Sequence, residues 1–339
     1  MHPLRYLKAP LWALQLATGA KAFSDNPLIG SRRLNAMGLH TARVSLAHSI
    51  AAWRRRRLRH LVSTDDAAAF DRDGFVCIRD FLPPDAFASL RDQLLSHAAP
   101  AREQVQGDTI TRRIALDPAL LKELPAVRAL LGNARWRGLI RYAWSHDAEP
   151  LTYIQTILSR RHDAPPDPQT ALHADTFHPT AKAWLFLTDV SEDEGPLTYV
   201  AGSHRMTPAR LAWERDRSLR ARDQLDRLSS RGSLRIAESE LAGLDLPPPT
   251  RFAVPANTLV VADTHGFHAR GLSTRPSTRV EIWADGRRNP FLPWTGLDPT
   301  GLPGIAERRV PLWWHMRDRM TRWMPQPWAD VGRKRPGDA

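Results

Sequence analysis

A histidine and an aspartate two residues apart constrain this chain more than any other pair in it. They are His173 and Asp175, in the run LHADTFHP. On an extended strand alternate side chains share a face, so both can hold one metal ion from the same side. A second cluster, DTHGFHARG at 263–271, supplies His268 to close the set. His265 competes for that place: the two are three residues apart and point to opposite faces if the segment is extended, so spacing alone leaves either as the third ligand. Two imidazoles and one carboxylate on one face of a metal leave the opposite positions open, which suits non-haem Fe(II) and dioxygen. Arg279 follows in a strand-like run, RVEIW. A guanidinium can clamp a carboxylate through two parallel hydrogen bonds, so an organic-acid co-substrate is expected.

The surrounding sequence reads as short strands separated by turns. FDRDGFVCIRDFL carries a strand after Gly74, and a helix starts near Pro84. Residues 100–150 read as mixed helix. TYIQTIL, beginning at Thr152, is a strand by β-branched content, with Tyr153, Gln155 and Ile157 on one face. AKAWLFLTDV and LTYV form a hairpin across the acidic turn SEDEG. Residues 205–243 look like a helical insertion. Strands at 252–254, 258–262 and 280–283 complete a jelly-roll pattern. The expected fold is mostly β: a double-stranded β-helix, cupin-like core with N-terminal helices. Expected boundaries are a basic N-terminal segment at 1–62, the core domain at 63–306 and a basic, Trp-rich tail at 307–339.

Charge separates the ends from the middle. The net charge is +12, and residues 1–62 hold eleven Lys/Arg against Asp25 alone. The tail holds eight Lys/Arg against four acids, which leaves the central part slightly acidic. A nucleic-acid binder carries its basic footprint on the folded domain beside a reading motif, so no nucleic-acid partner is expected. The single cysteine, Cys77, excludes an intramolecular disulfide. Near the start, Leu4, Leu7, Leu11 and Leu14 recur at helical spacing, and Leu39, Ala42, Leu46, Ile50 and Trp53 make a stripe running into Arg54–Arg57 and Arg59. In the tail, Trp313, Met316, Met320 and Trp323 share one helical face flanked by Arg317 and Arg319. Two such weak anchors predict attachment to an anionic membrane surface, on the cytoplasmic face. The bland alternative is that both ends pack onto the domain.

FDRDGFVCIRDFL, LHADTFHP, EDEGPLTYVAGSH and DTHGFHARG with Arg279 together resemble the phytanoyl-CoA dioxygenase family of iron(II)- and 2-oxoglutarate-dependent oxygenases. The resemblance implies a double-stranded β-helix, His173, Asp175 and His268 as iron ligands, and Arg279 on the distal carboxylate of 2-oxoglutarate. It places Gln155 beside the co-substrate. Dioxygen and a lipid or other small molecule are then the partners, with hydroxylation of a lipid or acyl chain expected, or the same chemistry on a soluble acyl-CoA. The basic N-terminal segment and the Trp-rich tail lie outside this resemblance.

Other readings fit less of the pattern. A zinc hydrolase uses the same ligand types but gives Arg279 no role. A halogenase of this fold needs a small residue in place of Asp175. A non-catalytic, membrane-associated jelly roll would leave a complete ligand set unused. His178 and His204 read as hydrogen-bonding residues at turns, Lys182 as a solvated strand lysine, and Asp263 as a turn acceptor.

Overall fold

In the computed structural model the described residues are 8–302 and 304–338. Among the described residues eleven strands form two antiparallel sheets. Those in the first half are β1 (Phe75–Ile78), β2 (Ala99–Gln106), β3 (Thr109–Ala115), β4 (Leu151–Ser159) and β5 (Ala181–Phe186). They are followed by β6 (Leu197–Tyr199), β7 (Thr250–Arg251), β8 (Leu259–Asp263), β9 (His268–Arg270), β10 (Ser277–Gly286) and β11 (Ala329–Lys334). The large sheet has the order β1-β8-β5-β10-β4-β3-β2-β11, and the small sheet is β7-β6-β9. This is the expected mostly-β jelly roll with helical additions.

Alternation along the central strands decides what each face of the large sheet buries. Ile154, Ala183, Leu185, Val280, Ile282 and Ala284 face a helical layer that includes Leu90, Leu94, Trp136 and Ile140. On the other face Tyr153, Trp184, Phe186, Val260 and Trp283 pack with Leu197, Tyr199 and Phe252 from the small-sheet side. The functional residues lie between the sheets, on that second face.

Several expectations are corrected. Residues 99–115 form the hairpin β2–β3 rather than helix, with helices only from Pro118 onward. Gly107, at φ 58°, makes the turn, and a Cβ there would meet the Pro165 carbonyl oxygen at 2.4 Å. The inward side chains of β3 include Thr111 and Arg113, so the strand lacks the apolar alternation that marks a half-buried strand. The insertion is helical at Pro208–Arg220 and Arg227–Ser230 and otherwise turns and short 3-10 segments. The ladder expected at 252–254 is at Thr250–Arg251, and Val254 makes only an isolated bridge to Val190.

The two basic ends pack differently from each other. The helix Leu39–Leu58 turns His40, Arg43, Val44, Ala47, Ala51, Arg54 and Leu58 inward, so the apolar stripe seen in the sequence faces largely outward. Small Ala47 and Ala51 allow close approach, and the buried cations find acceptors. Arg54 donates to the carbonyls of Ser145, Pro290 and Leu292 and to Ser145 Oγ. Arg43 donates to the carbonyls of Leu16, Thr18 and Ala20. Arg55 pairs with Asp263 at 2.8 Å, and His40 with Glu214 at 2.9 Å. These residues knit the segment to the core. Leu4 and Leu7 lie outside the described residues. In the tail, the helix Arg309–Arg319 buries Val310 and Trp314 and leaves Trp313 and Met316 exposed; Met320 and Trp323, also exposed, lie in the turns past its end, so the helical face expected through Trp323 stops short of it. Strand β11 then adds to the edge of β2. Among the described residues no helix is long and apolar enough to cross a membrane.

Candidate metal and co-substrate site

His173 and His268 are joined through their backbones before any metal is considered. Each amide donates to the other's carbonyl at 3.0 Å, an isolated antiparallel bridge. Asp175 is tied next to it by its amide to the Thr264 carbonyl at 2.9 Å. His173 Nδ1 donates to the Ala171 carbonyl at 2.8 Å and His268 Nδ1 to the Gly266 carbonyl at 2.9 Å. Those bonds set the tautomer and leave both Nε2 atoms as free lone pairs. They face Asp175 Oδ1, at 3.7 and 3.8 Å. One donor atom from each residue lies within 4.8 Å of the others.

The electrostatics favour ligands rather than protonated groups. Burial, reinforced by the neighbouring His268, lowers His173 to about 3, and burial lowers His268 to about 4. Burial alone would raise Asp175, but Lys182, His268 and Arg287 hold it well below the usual carboxylate range. Buried His268 Nε2 has no hydrogen-bond partner. A divalent cation between two neutral imidazoles and a carboxylate would satisfy it, so these residues fit a metal.

His265, the competitor, is directed elsewhere. Its Nδ1 donates to the Thr176 carbonyl and its Nε2 meets Met206 Sδ at 3.4 Å. His178 and His204 are buried outside the group, and Asp263 joins Arg55, Thr180 and His265 around the turn.

A cavity of about 400 Å³ opens over the histidines and reaches Arg279. The strand register lays its floor out in rows. Glu281 pairs with Gln155 and Phe186, Trp283 with Tyr153 and Trp184, and Asp285 with Lys182. Arg279 donates Nε to Glu281 at 3.0 Å and Nη1 to the Gly195 carbonyl at 2.8 Å. Gly195, at φ 69°, presents that carbonyl, and a Cβ there would meet the Gly271 carbonyl oxygen at 2.6 Å. Gln155 is held at both ends: its amide donates to Glu281 at 2.7 Å and its carbonyl accepts from Arg113 at 2.9 Å. Arg270 lines the same wall, paired with Asp167.

The first 235 residues contain a stretch that decides the family. The family model described as phytanoyl-CoA dioxygenase (PhyH) matches residues 70–235. This stretch belongs to the phytanoyl-CoA dioxygenase family. The family match contains His173 and Asp175; geometry adds His268 and Arg279 from beyond it. With that membership and a two-histidine, one-carboxylate set, the chain is an enzyme of the iron- and 2-oxoglutarate-dependent class. No curated protein matches it. Among solved structures, the chain is similar to the non-haem α-ketoglutarate-dependent epimerase SnoN from nogalamycin biosynthesis. The two share 21% identity at TM-score 0.43, covering 65% of this chain and 81% of that one. HygX from Streptomyces hygroscopicus, solved with nickel and 2-oxoglutarate, shares 15% identity at TM-score 0.42, over 66% of this chain and 86% of that one. EctD from S. alaskensis, with bound iron, shares 18% identity at TM-score 0.37, over 73% and 85%.

Three cations of the cavity, Lys182, Arg287 and Arg113, and Lys21 beside the Asp175 backbone are not marked as site residues by the sequence. Lys182 reads as an ordinary strand lysine, yet its Nζ lies 2.7 Å from Asp175 Oδ2. Arg287 stands 3.8 Å from the same oxygen. Lys21, from the N-terminal segment, donates to the Asp175 carbonyl. Arg113 lies on β3, within a stretch whose sequence resembles helix. A cue for Lys182 was its inward parity with Trp184 and Phe186; for Lys21 and Arg287 no local pattern marks the role.

Proposed function

We propose that the protein hydroxylates a small molecule, with His173, Asp175 and His268 as the iron ligands and Arg279 as the anchor for the distal carboxylate of 2-oxoglutarate. When bound, iron and 2-oxoglutarate supply the oxidising power, consuming dioxygen and releasing succinate and carbon dioxide. The observation that carries the reading is the convergence of two Nε2 lone pairs and Asp175 Oδ1 at one end of the cavity that Arg279 closes at the other. Asp175 offers Oδ1 inward while Lys182 engages Oδ2, which keeps the carboxylate oriented as a one-oxygen ligand. Glu281 and the Gly195 carbonyl grip one edge of the Arg279 guanidinium and align the rest of the fork. Trp184 and Trp283 wall the space and limit water near the reacting carbon.

The test is anaerobic titration with Fe(II) and 2-oxoglutarate, followed by the visible metal-to-ligand charge-transfer band, and then succinate release on admitting air. Wild-type protein is expected to give both. His173→Ala and Asp175→Ala should lose both while melting normally. Loss in His265→Ala with retention in His268→Ala would move the third ligand.

A second reading, membrane attachment with a lipid or acyl-chain substrate, is favoured by a separate observation. Trp313 is 47% and Trp323 76% exposed, with Met316 and Met320 between them and Arg317 and Arg319 alongside. Exposed tryptophans flanked by arginines suit a bilayer interface, where the charged heads reach phosphates and the stems stay apolar.

A further inference from the structure

The cavity holds cations that neither the metal ligands nor the co-substrate anchor accounts for. Arg279 has Glu281, Arg270 has Asp167 and Lys182 has Asp175. Arg113 has no carboxylate within ion-pair distance among the described residues; its one hydrogen bond is from Nε to Gln155. Its guanidinium is instead boxed by three rings, with Trp283 at 4.1 Å, Trp328 at 4.5 Å and Tyr153 at 4.8 Å from its central carbon. Aromatic faces stabilise the cation and fix its plane without occupying its amino groups, so both Nη atoms stay available to a ligand. The box is assembled from distant parts of the chain: β3, β4, β10 and the segment leading into β11. Arg287 is the second such group. It is exposed at the cavity mouth, makes no hydrogen bond among the described residues, and stands four positions beyond Trp283. Its one ion-pair contact among the described residues is to Asp175 Oδ2, which Lys182 already engages, and Asp285, two positions before it in the same cavity, attracts it from further off.

An iron(II) ion and a 2-oxoglutarate dianion cancel each other's charge, so the co-substrate leaves these two guanidiniums facing one carboxylate, Asp285, with a positive charge in excess. A surplus cation beside a partly dry cavity draws a ligand that supplies the missing counter-charge, the more strongly for half-buried Arg113 than for exposed Arg287. We propose that the primary substrate is a small organic anion, its carboxylate or phosphate held by Arg113 and Arg287 and its carbon frame lying along Trp283 and Trp328. This rests on the oxygenase reading and adds the substrate class to it. It also accounts for a cavity wall that includes Gln104, Gln106 and Gln169 beside the tryptophans, which suits a polar frame better than a long alkyl chain.

The experiment is isothermal titration of the protein preloaded anaerobically with Fe(II) and 2-oxoglutarate, using benzoate, phenyl phosphate and dihexanoyl phosphatidate as probes. Saturable binding of at least one is expected, with benzoate indicating a carboxylate and phenyl phosphate a phosphorylated small molecule. Binding of dihexanoyl phosphatidate alone indicates a lipid headgroup. Arg113→Gln and Arg287→Gln should each weaken that binding about tenfold or more, a larger loss than either causes in 2-oxoglutarate affinity. Arg279→Gln should do the reverse. Arg287 is exposed and unbonded, so its variant reports even if the Arg113 variant does not fold. The proposal is overturned if no probe binds, if neither variant alters binding, or if Arg113→Gln loses 2-oxoglutarate instead. Failure of wild-type protein to take up Fe(II) and 2-oxoglutarate would count against the oxygenase reading itself; anion titration of the metal-free protein and both variants then decides whether Arg113 and Arg287 bind an anion at all.

Discussion

Asp175 is a carboxylate with two different oxygens. Oδ1 looks toward the two Nε2 atoms and Oδ2 toward Lys182 and Arg287. A carboxylate ligand held in this way binds metal more tightly than one free to rotate. Lys182→Met is therefore expected to weaken Fe(II) affinity by roughly 10- to 100-fold, read by competitive metal titration, with the melting temperature little changed. Unaltered affinity would make Lys182 a bystander. Three other buried histidines predict an acid-sensitive fold. Burial lowers His146 to about 2, and His178 and His204 to about 3. They stay neutral in the folded protein, while the unfolded chain takes up protons below about pH 6.5. The unfolded state then binds more protons, so stability falls as pH drops, by up to about 1.4 kcal/mol per pH unit for each histidine. Thermal unfolding between pH 8 and 5 should show a level upper range and a steep decline below 6.5; a flat profile throughout would contradict the burial argument.

At the scale of an element, the helix Leu39–Leu58 is the most instructive. Its arginine run looks like surface charge because sequence periodicity reports which residues share a face but not which face a neighbour covers. Arg54 lies inside, donating to three main-chain carbonyls from two other segments. Arg54→Ala leaves those acceptors buried and unpaired, and should cost about 3 kcal/mol or more, whereas Arg56→Ala, on the exposed side, should stay within about 0.5 kcal/mol. Chemical denaturation of the pair measures the contrast. Equal small effects would mean the helix is loosely docked. The hairpin β2–β3 fails to announce itself for a related reason: its inward side chains line a polar cavity, so the period-two apolar signal is missing where the strand is most buried.

Over the whole molecule the two basic ends part company. The N-terminal segment is sewn into the core and delivers Lys21 to the Asp175 carbonyl, whereas the tail helix and the turn after it keep Trp313, Met316, Met320 and Trp323 outward. If that face meets a bilayer, co-sedimentation with anionic liposomes should fall with rising salt and drop several-fold in Trp313→Ala/Trp323→Ala, with no change in melting temperature. Equal sedimentation of wild-type and variant, or none at low salt, removes the membrane reading and leaves the cavity alone to define the substrate.

His-X-Asp on a strand, a later histidine and an arginine downstream were legible in the sequence because strand geometry forces i and i+2 onto one face whatever surrounds them. The jelly roll was legible in the same way, from short β-branched runs between turns. Preference for His268 over His265 rested on resemblance; the tertiary structure separates them by what each Nδ1 and Nε2 meets. Only the tertiary structure could bring Arg113, Lys182 and Arg287 to one cavity and Lys21 to the Asp175 carbonyl, because they come from a cryptic hairpin, β5, the residue after β10 and an N-terminal segment, which meet only once the sheet closes. Local sequence sets which way neighbouring side chains alternate. Which distant cation lies unpaired beside which ligand is a property of long-range packing, and no window of the chain encodes it.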